Sequence, residues 1–340
     1  MSEALAVLDT IDLNFSQEGL LVLNITIAFI MFGVALGIRL RDLKEVFTKP
    51  VSVITGFVSQ FMMLPFITFL IVVLFRSQIT PTVALGMILV ASCPGGNISN
   101  FMSSLSGGNA ALSVGMTAIA TMGAIILTPL NFALYGGLFI EIYQAGEVST
   151  LLRPLKIDPV EMFRTVLILL GIPLVAGMVF NKRFPSFTGR IMKPMQVLSV
   201  ILFIAMVVVM FRNNYDYFLK YIKFIFIIVF IHNAIAFLTG YSLSSVTRRP
   251  RADRRAITIE TGIQNSGLGL VLIFNPRIFP EDLEVGGMAF IAAWWGIWHI
   301  LSGLTLAGLL SRVPLPKRDN GKSSDYKDGK VVPSAASAKG

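Results

Sequence analysis

The sequence predicts an all-α polytopic membrane protein of nine transmembrane helices, and three observations carry that prediction. Of its 340 residues, 54% are hydrophobic and only 14% charged, against about a quarter charged in a soluble domain. Apolar runs near or above the roughly 20 residues that span a bilayer recur nine times, at about 20–38, 51–75, 82–106, 109–139, 163–180, 195–211, 218–246, 256–275 and 286–310. Lysine and arginine crowd alternate connections. RLRDLKEVFTK and NKRFPSFTGRIMK hold four each, TRRPRADRR five and the tail after Leu310 seven, twenty of the twenty-eight in the chain. The positive-inside rule then gives an odd number of spans, with the N-terminus outside and the C-terminus in the cytoplasm. The formal charge of +9 is therefore topological. The implied partner is the lipid bilayer, with no nucleic acid.

Taken in order, residues 1–19 form an outer segment. MSEALAVLDTIDLNFSQEG lacks the basic start and clean apolar centre of a signal peptide. Residues 20–311 form the transmembrane domain. Its first run is uninterrupted, and its second holds Gln60 within GFVSQFMMLPF. The third is broken by CPGGN at 93–97. The fourth exceeds the thickness of the hydrocarbon layer, so tilt or a break is expected. The fifth and sixth carry no ionisable group at their centres. His232 lies in the seventh, Glu260 in the eighth and His299 in the ninth. Residues 312–340, rich in Lys, Ser, Asp, Gly and Ala, have too little apolar surface to fold and form a disordered cytoplasmic tail. The single Cys93 excludes a disulfide framework and any multi-cysteine metal site.

Glu260 is the one carboxylate the sequence places inside a span. A charge at bilayer depth costs roughly 2.5–3.5 kcal/mol on insertion scales, and no Lys or Arg lies within a span to pair with it. Protonation, water or a bound cation are the remaining options. Around it stand Thr261, Gly262, Gln264, Asn265, Ser266, Gly267 and Gly269. Glycines costing roughly 1 kcal/mol each in a helix interior favour an unwound segment there. Pro94, Gly95, Gly96 and Asn97 favour one in the third run, since proline lacks the N–H that a helix needs. For either segment alone, a kink for close packing is the competing reading. Two breaks in corresponding halves point instead to the binding site of a secondary transporter. Freed carbonyls there attract cations, and half-helix N-termini attract anionic groups.

At CPGGNISN followed by GGNAALSVGMTAIAT, and at ETGIQNSGLG, the chain resembles the bile acid:sodium symporter family. The resemblance runs from about Leu21 to Ser311 and takes in IMFGVALGI, GFVSQFMMLPF, HNAIAFLTGY and WHILSG. It implies an inverted repeat of five helices that lacks the first helix here, as in the nine-span animal members. It further implies a core domain with two crossing broken helices and a panel domain packed on it. The core would comprise about 82–139 and 218–310, with Gln60 from a neighbouring helix, and the panel the rest. Two sodium ions are implied. The first matches Ser99, Asn100, Ser113, Thr117 and Glu260; the second matches Gln60, Glu260 and Gln264 with the carbonyls of Thr261 and Ile263. Asn97 and Asn265 match substrate-facing positions, and His299 is a third candidate. Ile300 departs from the polar residue that follows this histidine in bacterial relatives.

Two sodium charges against one from Glu260 leave room for a monoanionic organic acid, and the resemblance implies a carboxylate of the bile acid, pantoate or keto-acid class. The function so implied is sodium-coupled symport by alternating access, in the inner (plasma) membrane. Alternatives left open are a proton-coupled carrier, a metalloid exporter of the same fold in which Cys93 acts, and a receptor that does not transport. An enzyme is excluded, because no nucleophile set, paired carboxylates or metal-ligand cluster is present.

Overall fold

In the computed structural model the described residues are 17–37, 50–144, 158–213, 215–279, 283 and 285–313. Most of the outer segment 1–19, most of the tail 312–340 and the basic stretch 39–49 lie outside them. The described residues are helical, and the one strand-like feature among them is an isolated antiparallel bridge between Gly95 and Gln264.

The helices are α1 (Gln17–Leu36), α2 (Pro50–Val58), α3 (Leu64–Leu74), α4 (Pro81–Ser92), α5 (Ile98–Leu105), α6 (Ala110–Asn131), α7 (Gly137–Gln144), α8 (Pro159–Val166), α9 (Ile172–Arg183), α10 (Pro185–Asn213), α11 (Tyr215–Val246), α12 (Arg251–Gly262), α13 (Ser266–Ile273) and α14 (Gly286–Ser311). Single π-turns at Ser59–Met63, Phe132–Gly136 and Leu167–Gly171 join α2 to α3, α6 to α7 and α8 to α9. Among the described residues, five segments are long and apolar enough to cross a membrane: Pro50–Leu74, Ala110–Tyr143, Pro159–Arg183, Leu219–Val246 and Gly286–Ser311. The pairs α4/α5 and α12/α13 are each shorter helices separated by a break.

Proline accounts for two of the three π-turns. Pro65 has no N–H to give the Phe61 carbonyl, so the ladder slips and the N–H of Leu64 bonds Ser59 O instead. The orphaned Phe61 carbonyl is met from another helix by Asn131 Nδ2 at 2.8 Å. Pro173 stands in the same relation to Leu167–Gly171, where the N–H of Ile172 reaches Leu167 O.

Burial separates the centre from the rim. All twelve residues of α4 are buried, as are residues 255–262 of α12 and 268–273 of α13. On α10, by contrast, Val197, Leu198, Ile201, Ile204, Val208 and Val209 are exposed, as a lipid-facing helix requires. α1 packs on α9 and α10, with Phe32 edge-on to Phe180 at 5.9 Å and Asn181 Nδ2 bonding Leu36 O at 2.9 Å. The segment α2–α3 packs instead on α4, α6, α11 and α12.

Candidate functional site

The two breaks meet. Pro94, with no N–H, ends α4, and the backbone leaves helical geometry at Cys93. Its carbonyls then find partners elsewhere. Ser92 O accepts from Thr128 Oγ1 at 2.7 Å, and Cys93 O from Gln60 Nε2 at 2.9 Å. Pro94 O accepts from the N–H of Asn265 at 2.8 Å, while Gly96 N–H donates to Ile263 O at 2.7 Å. Those last two bonds lock the breaks together as an antiparallel bridge. At the end of α12, Gly262 O accepts from Asn233 Nδ2 at 2.7 Å, and Ser302 Oγ holds Asn233 Oδ1 at 2.6 Å.

Glu260 faces this crossing and is 2% exposed. Ser99 Oγ donates to its Oε2 at 2.5 Å and Ser113 Oγ to the same oxygen at 3.3 Å, while Thr117 Oγ1 lies 2.7 Å from Oε1. Thr117 is also within reach of Ser113 O (3.0 Å) and Asn100 Oδ1 (3.1 Å). A hydroxyl has one proton, so the nearest acceptor, the carboxylate, takes precedence over back-bonding within α6. Ser113 and Thr117 are one turn apart on one face, α5 brings Ser99 and Asn100, and α12 brings Glu260. Only glycine fits at 95. A Cβ there would lie 2.5 Å from Glu260 Oε1 and 3.0 Å from its Cδ.

The second expected set forms an adjoining cluster. Gln60 Nε2 donates to Cys93 O and, at 2.7 Å, to Gln264 Oε1. Gln264 Nε2 donates to Thr261 O at 2.7 Å. Ile263 O is engaged by Gly96. Thr261 Oγ1 pairs with Ser59 Oγ at 2.9 Å, so the π-turn presents Ser59 and Gln60 together. Gln60 Oε1 is buried without a hydrogen-bond partner. An unmet carbonyl dipole among oxygens suits a hard cation. Among the described residues no group of three His, Cys, Asp or Glu could hold a transition metal.

Asn97 and Asn265 begin α5 and α13. Asn265 Oδ1 caps the N–H of Leu268 at 3.1 Å and its Nδ2 lies 3.8 Å from Met31 Sδ, which brings α1 to the crossing. Asn97 is half-buried and makes no side-chain cap. His299 is buried with Nδ1 unpartnered, and no hydrogen bond joins it to the two asparagines. Ile300 packs with Met102, Ile259, Ile263 and Ala307. His232 shares a 2.8 Å hydrogen bond with Thr68 Oγ1 and lies edge-on to Trp295. Cys93 is fully buried beside the break.

Sequence reasoning missed three groups. Asn233 ties off Gly262 O, Ser59 backs Thr261, and Asp253 is 1% exposed with Ser52 Oγ at 2.8 Å and Asn109 Nδ2 at 2.7 Å. HNAIAFLTGY contained the signal for Asn233. Asp253, inside an arginine-rich stretch, reads as solvated.

Chemically, the arrangement offers a buried carboxylate, three hydroxyls and several amide and carbonyl oxygens where two helices are interrupted. That set can strip and replace the hydration shell of a small hard cation. Comparison with known proteins agrees in kind. Residues 24–221 match the sodium bile acid symporter family. The chain is 31% identical over 306 residues to the uncharacterized sodium-dependent transporter YocS of Bacillus subtilis, covering 89% of this chain and 87% of that protein. It is 30% identical over 282 residues to the probable chloroplastic sodium/metabolite cotransporter BASS2 of Oryza sativa, covering 80% of this chain and 63% of the rice protein's length. It is 27% identical over 267 residues to the ileal sodium/bile acid cotransporter of Cricetulus griseus, covering 78% and 72% of the two chains.

Proposed function

Since the chain belongs to the sodium bile acid symporter family, a family of transporters and not enzymes, we propose that it couples the uptake of an organic anion to sodium by alternating access. The observation that carries this reading is the Glu260 carboxylate, buried at the bridge between the breaks and met by Ser99, Ser113 and Thr117. Among the described residues no basic side chain pairs with it.

The reading assigns one sodium ion to Ser99, Asn100, Ser113, Thr117 and Glu260. It assigns a second to Gln60, Glu260, Gln264 and the carbonyls of Thr261 and Ile263. A cation supplies the positive charge that Glu260 lacks. The protein's part is to turn the three hydroxyl protons away so that their lone pairs face inward. Gln60 releases Gln264 Oε1 by the same logic. The anion's carboxylate meets Asn97 and Asn265 at the starts of α5 and α13, where the positive ends of the helix dipoles favour negative charge. His299 lines the same path.

In this reading nine spans form an inverted repeat without its first helix. The sequence expectation leaves 51–75 in the panel apart from Gln60; because α2–α3 packs on the broken helices, it moves instead with the core, and α1, α8–α9 and α10 form the panel. The N-terminus is outside and the arginine-rich face cytoplasmic, in the inner membrane. Bile acid, pantoate and keto-acid solutes are the substrate classes to screen. The ion orders the crossing, and the ordered crossing binds the anion, so coupling is the difference in affinity between the two states.

Thermal stability of the purified protein in sodium chloride tests this, with potassium chloride matched for ionic strength. Sodium-specific stabilisation, lost in Glu260→Ala, is the expected result. Equal melting in the two salts for the wild type overturns the sodium reading. Stabilisation of Glu260→Ala by sodium moves the ion elsewhere.

A further inference from the structure

The Glu260 site has a further wall, on the side of α2 and α6. Between α2 and α6 lies a cavity of about 10 Å³, bounded by Gly56, Phe57, Met116 and Ile119 and closed at its inner end by Gln60 and Glu260. That is about the room of one water-sized particle. Gln60, which lines it, keeps its buried Oε1 without a partner. A polar end in an otherwise apolar slot marks where something small and charged can pause.

Toward the arginine-rich membrane face, Val53 and Met116, which also line the cavity, join Leu112, Ala256 and Ile257 to fill the same seam. Beyond that plug lies Asp253, seven residues before Glu260. Seven residues are two turns, so both buried carboxylates occupy one face of α12. Ser52 from α2 and Asn109 from the start of α6 hold Asp253, so it stands at the mouth of the α2–α6 seam. The order along the seam is carboxylate, cavity, apolar plug, carboxylate.

The plug has one readily movable part. A Cβ on Gly56 would meet Met116 Cγ at 3.5 Å and Ile257 Cγ1 at 3.6 Å and would overlap Met116 Sδ. The thioether therefore lies directly against bare backbone. Methionine turns about three bonds and tolerates several packings, so its swing opens the seam without displacing a helix. Valine, leucine and isoleucine around it have fewer ways to yield.

We propose that the cation bound at Glu260 exchanges with the arginine-rich membrane face through the α2–α6 seam, with Met116 as its gate. The proposal rests on the sodium reading of the site. The ion's path is then separate from that of the solute, which moves between core and panel.

The test mixes the full-length purified protein rapidly with sodium and follows tryptophan fluorescence, beside a sodium titration of melting temperature. Gly56→Ala wedges the thioether and slows binding and release alike by about tenfold, the scale of a small overpacking penalty placed on the barrier. Met116→Ala speeds both. In each variant the equilibrium midpoint stays where it was, because a gate changes rates and not affinity. Unchanged rates with a retained midpoint overturn the route and leave the site reading standing. A wild type with no sodium-specific response removes both. A third variant guards against misfolding. Val53→Cys in sealed vesicles reacts with an impermeant cationic thiol reagent from the arginine-rich face in potassium and is protected in sodium, with the wild type, whose Cys93 is buried, as the control. Labelling from the opposite face, or labelling indifferent to sodium, overturns the proposal.

Discussion

Gly95→Ala gives a direct measure of how tightly the crossing and the carboxylate are coupled. The added methyl would sit 2.5 Å from Glu260 Oε1, 3.0 Å from Cδ and 3.3 Å from Cγ. Glu260 cannot stay where it is. Its displacement stretches the 2.7 Å bond from Thr117 and the 2.5 Å bond from Ser99 together. Overpacking of this kind costs about 1–3 kcal/mol. Charged on the cation's affinity, that corresponds to about 5- to 150-fold. The neighbouring position is an internal control: a Cβ at Gly96 would meet Gln264 O and Ile263 Cγ2 at 3.3 Å, a contact that a few tenths of an ångström relieve. The assay is the sodium midpoint for thermal stabilisation, with helical circular dichroism as a check of fold. Gly95→Ala should shift the midpoint strongly and Gly96→Ala weakly. A folded Gly95→Ala with the wild-type midpoint would refute the placement of the carboxylate against the bridge.

Thr117→Val keeps the shape and removes the hydroxyl that reaches Glu260. Loss of a hydrogen bond to a charged group, about 1.5–3 kcal/mol, should weaken the sodium response, and Thr117→Ser should restore most of it. Asn233→Ala leaves Gly262 O unpaired in the protein interior, so the melting temperature should fall by the equivalent of about 1–3 kcal/mol, with or without sodium. Cys93→Ala should retain sodium stabilisation and anion uptake. Loss of transport with the fold intact would favour the metalloid-exporter alternative. His299→Ala should weaken anion uptake while leaving the sodium midpoint unchanged, and a shifted midpoint would place His299 with the ions.

The breaks are legible in sequence because their cause is local. Pro94 removes a donor, and the glycines at 95, 96 and 262 remove the side chains that would hold a helix together. Glu260 is legible because a carboxylate in an apolar run has no other explanation as simple. The pairing of Gly95 with Gln264 is not local, and no periodicity reports it. The π-turn at Ser59–Met63 depends on Pro65, but a proline in a span predicts a kink as readily as a slipped ladder. It is that slip which turns Ser59 toward Thr261 and Gln60 toward Cys93 O and Gln264. Asp253 is hidden in sequence by its neighbours, since TRRPRADRR reads as a solvated loop until Ser52 and Asn109 are seen around it. The association of α2–α3 with the broken helices, and of α1 with α9 and α10, required three dimensions, because nothing local in a helix names the helix it packs on.

The bridge between the breaks also bears on how the chain is made. Ser99 and Glu260 are separated by 161 residues, and at roughly 5–20 residues per second a ribosome takes about 8–30 s to supply the second after the first. During that interval the first break sits in the membrane with the carbonyl of Pro94 and the N–H of Gly96 awaiting their partners. Helices α6 to α11 are synthesised around an unfinished seam. A chain released before α12 is complete leaves those two backbone groups without the partners that Asn265 and Ile263 supply, at a cost of several kcal/mol each in lipid.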